Sequence, residues 1–368
     1  MAETVRAVHA VLVEREMGGA VWNPRQRWDK KRMVLVFAEG ASGRFGIGEA
    51  WLSGSGPRAL LATIEDDLAP LVVGSSVFGI ARLTEEVRRS TELSGRTGIT
   101  AAAWSAIETA VVDLAAKSLE LPLCDLLGRC RDRVPVYASA GLYGAGKTPA
   151  DLAAEVRGWV DAGFTAVKIK VGGAPLALDI ERVAAVREAI GPDVRLMVDA
   201  LYNLDVAEAL AMARAFERFD IHFLEAPVSP FDLDGQAAVA RGSPIPICGN
   251  ENMAWLHYFR DLVERRCVHF VQFDVAACGG VHEARRVGEL AHAHHLPATL
   301  HAASTAVLYA ASLHLAAALP CPVSVEHHML HQWLWELAPD SAFRVEDGTV
   351  APPAGPGIGI ELEPADLI

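Results

Sequence analysis

The sequence predicts an α/β fold, a TIM-type barrel of eight parallel strands preceded by a separate α+β domain, and three observations carry that prediction. An apolar strand-like run ending in one polar residue, then a loop and a helical pattern, recurs down most of the chain. The run-ending residues Lys170, Asp199, Glu225, Glu251, Asp274, His301 and Glu326 lie 23 to 29 residues apart, the length of a βα unit. The first 130 residues do not follow that period. Active sites of such barrels sit at the C-terminal ends of the strands, so these polar residues are expected to converge on one mouth.

Taken in order, residues 5–13, 33–38 and 46–51 read as strands of a small antiparallel sheet. Residues 58–71 and a long apolar pattern over 97–119 read as helices, completing an α+β domain over 1–130. Between the first two strands, residues 18–31 are too long for a tight hairpin and mix Arg25, Arg27, Lys30 and Lys31 with Trp22 and Trp28. Two readings stand side by side: a lid over an anionic substrate, or a mobile surface loop. The barrel takes 131–338, with strands expected at 134–137, 166–171, 194–199, 222–225, 245–251, 270–274, 298–301 and 323–326. Residues 339–368, which include Pro352-Pro353 and Pro356-Gly357, read as an irregular tail leaving the barrel.

The chain of 368 residues is long enough for two domains around a large core. Its net charge of −13 argues against nucleic acid or an anionic membrane surface as partner. Six cysteines without a CxxC pair suggest neither a disulfide framework nor a zinc cluster and fit a reducing cytosol, so a cytoplasmic protein is expected. The N-terminus lacks the basic start and apolar core of a signal peptide, and no apolar run reads as long enough to span a bilayer.

The chemistry centres on Ala166-Val167-Lys168-Ile169-Lys170-Val171. In an extended strand Val167, Ile169 and Val171 share one face while Lys168 and Lys170 share the other. An isolated stretch of this kind usually turns its lysines to water; a barrel strand packed outward on its apolar face projects them inward. There, a nearby metal and a second ammonium should lower the pKa of Lys170 towards that of a general base. Asp274 and His301 end consecutive strands, so the carboxylate can fix the imidazole tautomer and raise its basicity.

Asp199, Glu225 and Glu251 end three consecutive strands, and three carboxylates aimed at one mouth repel one another without a cation. All-oxygen ligation favours a hard ion, Mg²⁺ above others. The structural alternative is that each carboxylate caps a helix or pairs with an arginine. A rival motif is Gly141-Leu142-Tyr143-Gly144-Ala145-Gly146-Lys147-Thr148, which fits the phosphate-loop pattern of a nucleoside triphosphatase. Against it, Thr148-Pro149 reads as a helix cap followed by proline at the first helical position, which starts the helix after the lysine.

Lys168-Ile169-Lys170, Asp199, Glu225, Glu251, Asp274 and His301, in that order, resemble the enolase superfamily and, within it, the mandelate racemase group. Gly48-Glu49-Ala50, Ala106-Ile107-Glu108 to Asp113, and Leu126-Leu127-Gly128 resemble that family's capping domain. The resemblance implies a modified (β/α)₇β barrel, an N-terminal α+β capping domain on which the C-terminal tail packs, and a homo-oligomer. It implies Mg²⁺ held by Asp199, Glu225 and Glu251, and abstraction of the proton α to a substrate carboxylate, giving an enediolate. Lys170 is then the base on one face, His301 oriented by Asp274 stands on the other, and Lys168 neutralises a carboxylate oxygen. Glu326 resembles the acid that hydrogen-bonds the substrate carboxylate, a role that requires it protonated.

For the second step, dehydration of a sugar acid is favoured, since acid-sugar dehydratases are the commonest outcome in this group and the cationic 18–31 segment suits a hydroxylated acid. Racemisation or epimerisation and cycloisomerisation are the alternatives. A non-catalytic binding protein needs no such pairs of bases around one metal. Leu201 departs from the family pattern, removing a polar group that relatives often carry two places after the aspartate. His327, His328 and the Trp333-Leu334-Trp335 segment either line a distal pocket or pack, and His292, His294 and His295 read as surface at a helix end.

Overall fold

The computed structural model describes residues 3–52, 56–93, 97–339 and 342–367. At the N-terminus, strands Val5–Glu16, Lys30–Gly40 and Phe45–Ala50 form an antiparallel sheet with Lys30–Gly40 in the middle. Strand alternation divides the middle strand between two cores. Val34, Val36 and Ala38 enter the core of the capping domain, while Leu35 and Phe37 enter the core continuous with the barrel.

Helix Ile99–Ser118 packs on this sheet. A Cβ on Gly46 or Gly48 would sit 2.0 Å from the carbonyl oxygen of Ala110 or Ala106, so the close approach of strand and helix requires glycine at both positions. This helix corrects one expectation, because by length and composition it could cross a membrane. It is apolar all round because 89% of its most apolar window is buried within the protein. The helix expected over 58–71 is built as Pro57–Ala62, a π-helical Thr63–Leu68 and Ala69–Val72. Helix Ile80–Ser90 is an addition to the sequence reading.

Among the described residues, eight parallel strands form the barrel: Val134–Ala140, Ala166–Lys170, Arg195–Asp199, Ile221–Glu225, Ile247–Gly249, Phe270–Phe273, Ala298–Leu300 and Val323–His328. The eighth pairs with the first, Val325 opposite Val136, which closes the barrel. Helices follow the first seven strands only, giving the (β/α)₇β form. The apolar face of the second strand, Val167 and Ile169, packs in the layer beneath the outer helices.

The tail touches both regions. Strand Thr349–Val350 runs antiparallel to the first barrel strand. Further on, Gly357 O accepts from the Leu123 N–H at 2.7 Å, and Lys117 Nζ donates to Ile360 O at 3.1 Å. Asp113, buried in the capping helix, accepts from the N–H groups of Ile47 and Ile358 at 2.9 and 2.7 Å, tying sheet, helix and tail together. Such buried charge-assisted bonds contribute about 1.5–3 kcal/mol each.

The phosphate-loop pattern is not a phosphate loop. Thr148 caps helix Pro149–Asp161 through a reciprocal pair with Asp151, Pro149 takes the first helical position, and the Lys147 ammonium is bound by Glu155 and by Leu142 O. Tyr143–Gly144 pairs instead with Val21–Trp22 of the capping domain, stitching the 18–31 segment to the barrel.

Candidate active site

The barrel floor below the strand ends is filled by Tyr137, Ala166, Met197, Phe223 and Cys248. Above it, Lys168 is fully buried with its ammonium 5.3 Å over the Tyr137 ring. Lys168 Nζ stands 2.6 Å from Glu225 Oε2, 3.2 Å from Glu326 Oε1 and 3.7 Å from Asp199 Oδ2. Lys170, also buried, forms an ion pair with Asp199. His301 Nδ1 lies 2.6 Å from Asp274 Oδ2, and His301 Nε2 lies 3.6 Å from Glu326 Oε2. All eight residues singled out in the sequence thus meet at one end of the barrel; Glu251 lines the same cavity as Lys170 and His301, and its Oε2 accepts from the Tyr202 hydroxyl at 2.5 Å.

Two directions follow from the protein's own charges alone. Burial disfavours the Lys170 ammonium, but the adjoining Asp199 carboxylate outweighs it and raises the lysine above its ordinary value. Burial likewise pushes Glu326 up, yet Lys168 and His301 overcome it and hold the group well below the carboxylate range. These groups favour the Glu326 carboxylate, whose Oε2 accepts the Ala302 N–H at 3.3 Å. The expected direction does appear at His301: burial lowers it, Glu326 and Asp274 raise it further, and the imidazole is held up at about 9.

Charge explains what the carboxylates can hold. Asp199, Glu225, Glu251, Asp274 and Glu326 face Lys168, Lys170 and His301, so full ionisation leaves an excess of two negative charges. The excess registers at Glu225, which burial and the neighbouring Asp199 push up to about 8, and whose Oε1 is buried without a hydrogen-bond partner. Among the described residues no three His, Cys, Asp or Glu side chains stand close enough to hold a metal ion as they are turned, because the lysines and Tyr202 take their oxygens. The donor set, its excess charge and the unpartnered oxygen nevertheless fit a hard divalent cation.

A cavity of about 700 Å³ opens over these groups. Lys170, Glu251 and His301 line its barrel side, and Arg25, Trp28 and Lys31 its capping side. The 18–31 segment lines the cavity and is tied to the barrel: besides the strand Val21–Trp22, Arg25 Nη2 donates to Tyr202 O at 2.5 Å. Trp51, from the end of the capping sheet, sets its ring edge-on against His301 at 5.0 Å. His328 and His331 also line the cavity, stacked at 4.3 Å, whereas His327 packs below, its Nδ1 2.7 Å from the Tyr309 hydroxyl. Trp335 stacks on Tyr309, and His292, His294 and His295 are exposed.

Sequence reasoning missed Tyr202 and Trp51 as site residues and named Lys31 only as one of the cations of the 18–31 segment. Leu201 and Tyr202 adopt φ of 45° and 58°, a left-handed turn that Asp199 Oδ1 stabilises by accepting the Leu201 N–H at 2.8 Å. The turn aims Tyr202 at Glu251, so a polar contact reaches that carboxylate despite Leu201.

Comparison with known proteins decides the family. Residues 20–128 match the mandelate racemase/muconate lactonizing enzyme N-terminal domain, and residues 151–366 match the enolase C-terminal domain-like family. The chain belongs to the enolase superfamily, in its mandelate racemase group. This superfamily member is 32% identical over 330 residues to the arabinonate dehydratase of Saccharolobus solfataricus, covering 90% of this chain and 88% of that protein. It is 32% identical over 333 residues to the 3,6-anhydro-alpha-L-galactonate cycloisomerase of Streptomyces coelicolor, covering 90% and 89%. The crystal structure of a racemase from Streptomyces coelicolor A3(2) with bound magnesium superposes with a TM-score of 0.90 at 28% identity, covering 99% of this chain and 98% of that one.

Proposed function

We propose that the protein is a Mg²⁺-dependent sugar-acid dehydratase that removes the proton α to a carboxylate and eliminates the β-hydroxyl. One observation carries the reading: Lys170 and an Asp274-bound His301, from the second and seventh barrel strands, line the same cavity. The dehydratase, cycloisomerase and racemase relatives support the shared first step, and the arabinonate dehydratase supports the outcome.

Asp199, Glu225 and Glu251 would hold the metal. When bound, Mg²⁺ would neutralise these carboxylates and supply positive charge to a substrate carboxylate, and Asp199, as its ligand, would no longer stabilise the Lys170 ammonium. Lys170 Nζ takes the α-proton, and the electron pair left behind forms the carbon–carbon double bond as the β-carbon–oxygen bond breaks. His301, protonated and held by Asp274, delivers the proton at Nε2 to the departing hydroxyl, which leaves as water. The enol product becomes a 2-keto-3-deoxy acid. Lys168 sets its ammonium against a carboxylate oxygen, and Glu326, ionised between Lys168 and His301, keeps both protonated.

The test is proton NMR of the Mg²⁺-loaded protein with a panel of sugar acids in D₂O. Formation of a 2-keto-3-deoxy acid establishes dehydration. Deuterium at the α-carbon with every hydroxyl retained assigns racemisation or epimerisation instead, and a new ring or an opened one assigns cycloisomerisation.

A further inference from the structure

The reacting end of the cavity accounts for Lys168, Lys170 and His301, but not for Lys31. Lys31 comes from the capping domain and is only 6% exposed. Its ammonium donates to Ala303 O at 3.0 Å and lies 5.3 Å from the centre of the Trp51 ring. Among the described residues no carboxylate is within ion-pair distance of it: Asp274 is paired with His301 and Glu326 with Lys168, while Glu49, which acts on it most strongly, accepts from Thr305 through Oε2 and leaves Oε1 without a partner. Burial accordingly pushes the Lys31 ammonium down to about 8. A buried ammonium with one carbonyl partner is costly, and two of its three donor positions remain for a ligand.

Lys31 has company. His328 Nδ1 accepts the N–H groups of Leu330 and His331, each at 3.3 Å, so a neutral His328 carries its proton on Nε2 and is a donor there. His331, 2% exposed, has an Nδ1 with no partner. Burial holds both imidazoles well below their ordinary value, so they are neutral hydrogen-bonding groups and not competing cations. Arg25 also lines the cavity, but its guanidinium is turned to Tyr202 O. Among the described lining residues the sole carboxylate is Glu251, at the barrel end and bonded to Tyr202. The capping end of the cavity thus holds a buried ammonium that makes no ion pair among the described residues.

We infer that Lys31, flanked by His328 and His331, binds a second carboxylate at the far end of the substrate, so that the preferred substrate is a sugar diacid and not a monoacid. This rests on the reading that the substrate's reacting carboxylate lies at the barrel end. A single ammonium beside neutral imidazoles matches a carboxylate's one charge better than the nearly two charges of a phosphate.

The experiment is calorimetric titration of the Mg²⁺-loaded protein with hexose-derived acids matched except at C6: glucarate, gluconate and 6-phosphogluconate, and the corresponding sets of other configurations. The best diacid should bind about 100-fold more tightly than its monoacid; Lys31→Met should collapse that ratio to within about threefold, while Lys31→Arg keeps about tenfold. Equal affinity for diacid and monoacid, a ratio that survives Lys31→Met, tightest binding of the phosphorylated acid, or no binding of any diacid overturns the inference. Deuterium exchange at the α-carbon, run on the same ligands, separates the two readings. Lys31-dependent diacid binding without exchange upholds the distal site against the proposed reaction. Dehydration that favours monoacids upholds the reaction against the distal site.

Discussion

His301 presents Nδ1 to Asp274 Oδ2 at 2.6 Å, and both side chains are buried. The pair and the neighbouring Glu326 hold the imidazole up at about 9 from its ordinary 6.5, against the effect of burial. The sign follows: imidazolium is fully present below 6.5 and is lost as pH rises through about 9. A proton donor at this position therefore gives a rate that falls on the alkaline side near that value. Asp274→Asn should move the alkaline limb down by about one pH unit or more and lower kcat by about 10²–10³. A kcat–pH profile with the limb unmoved contradicts this role.

Glu108 titrates with a consequence for the fold. Burial pushes it from 4.5 up to about 8; Oε1 accepts the His282 N–H at 3.0 Å and Oε2 has no partner. The folded state favours the neutral acid, so its contribution is complete below 4.5 and is lost progressively as pH rises towards 8. Glu108→Gln should raise Tm by about 3 °C or more at pH 9 and by about 1 °C or less at pH 5. Thermal melts that show the same difference at both pH values count against it.

Excess negative charge at the strand ends makes metal binding a stability term. Saturating Mg²⁺ should raise the Tm of the metal-free protein, and Asp199→Asn, Glu225→Gln and Glu251→Gln should each weaken Mg²⁺ binding by about tenfold or more. Scanning fluorimetry across a Mg²⁺ titration reads both effects. An unchanged midpoint in all three variants removes these residues as ligands.

Tyr202 donates to a carboxylate assigned to the metal. Tyr202→Phe should weaken Mg²⁺ binding by about tenfold while leaving the alkaline limb of the pH profile in place, since Tyr202 does not touch the His301–Asp274 pair. A shifted limb with unchanged Mg²⁺ affinity reverses that assignment.

The barrel was legible because each strand is a short apolar run closed by one polar residue, and the strand ends at Lys170, Asp199 and Glu225 fall where the periodicity places them. The meeting of eight polar side chains followed from the geometry of a closed barrel. What remained hidden was non-local. Trp51 reaches the cavity only because the capping sheet docks over the strand ends, and nothing in its neighbours along the chain marks that contact; Lys31 lies in a segment whose cations suggested a lid but did not single it out. The charge states of Lys170 and Glu326 depend on which partner each meets, which spacing does not encode. Helix Ile99–Ser118 shows the same limit, since its composition alone does not separate a helix buried in protein from one buried in lipid.

The division of labour between Lys170 and His301 is the central claim, and His301→Asn in D₂O tests it most directly. The Mg²⁺-loaded variant should still exchange the α-proton of the substrate for deuterium, because Lys170 remains, while formation of the 2-keto-3-deoxy acid falls by about 10³. Lys170→Ala should lose both. Loss of α-exchange in His301→Asn together with its survival in Lys170→Ala would contradict the account and make His301 the base.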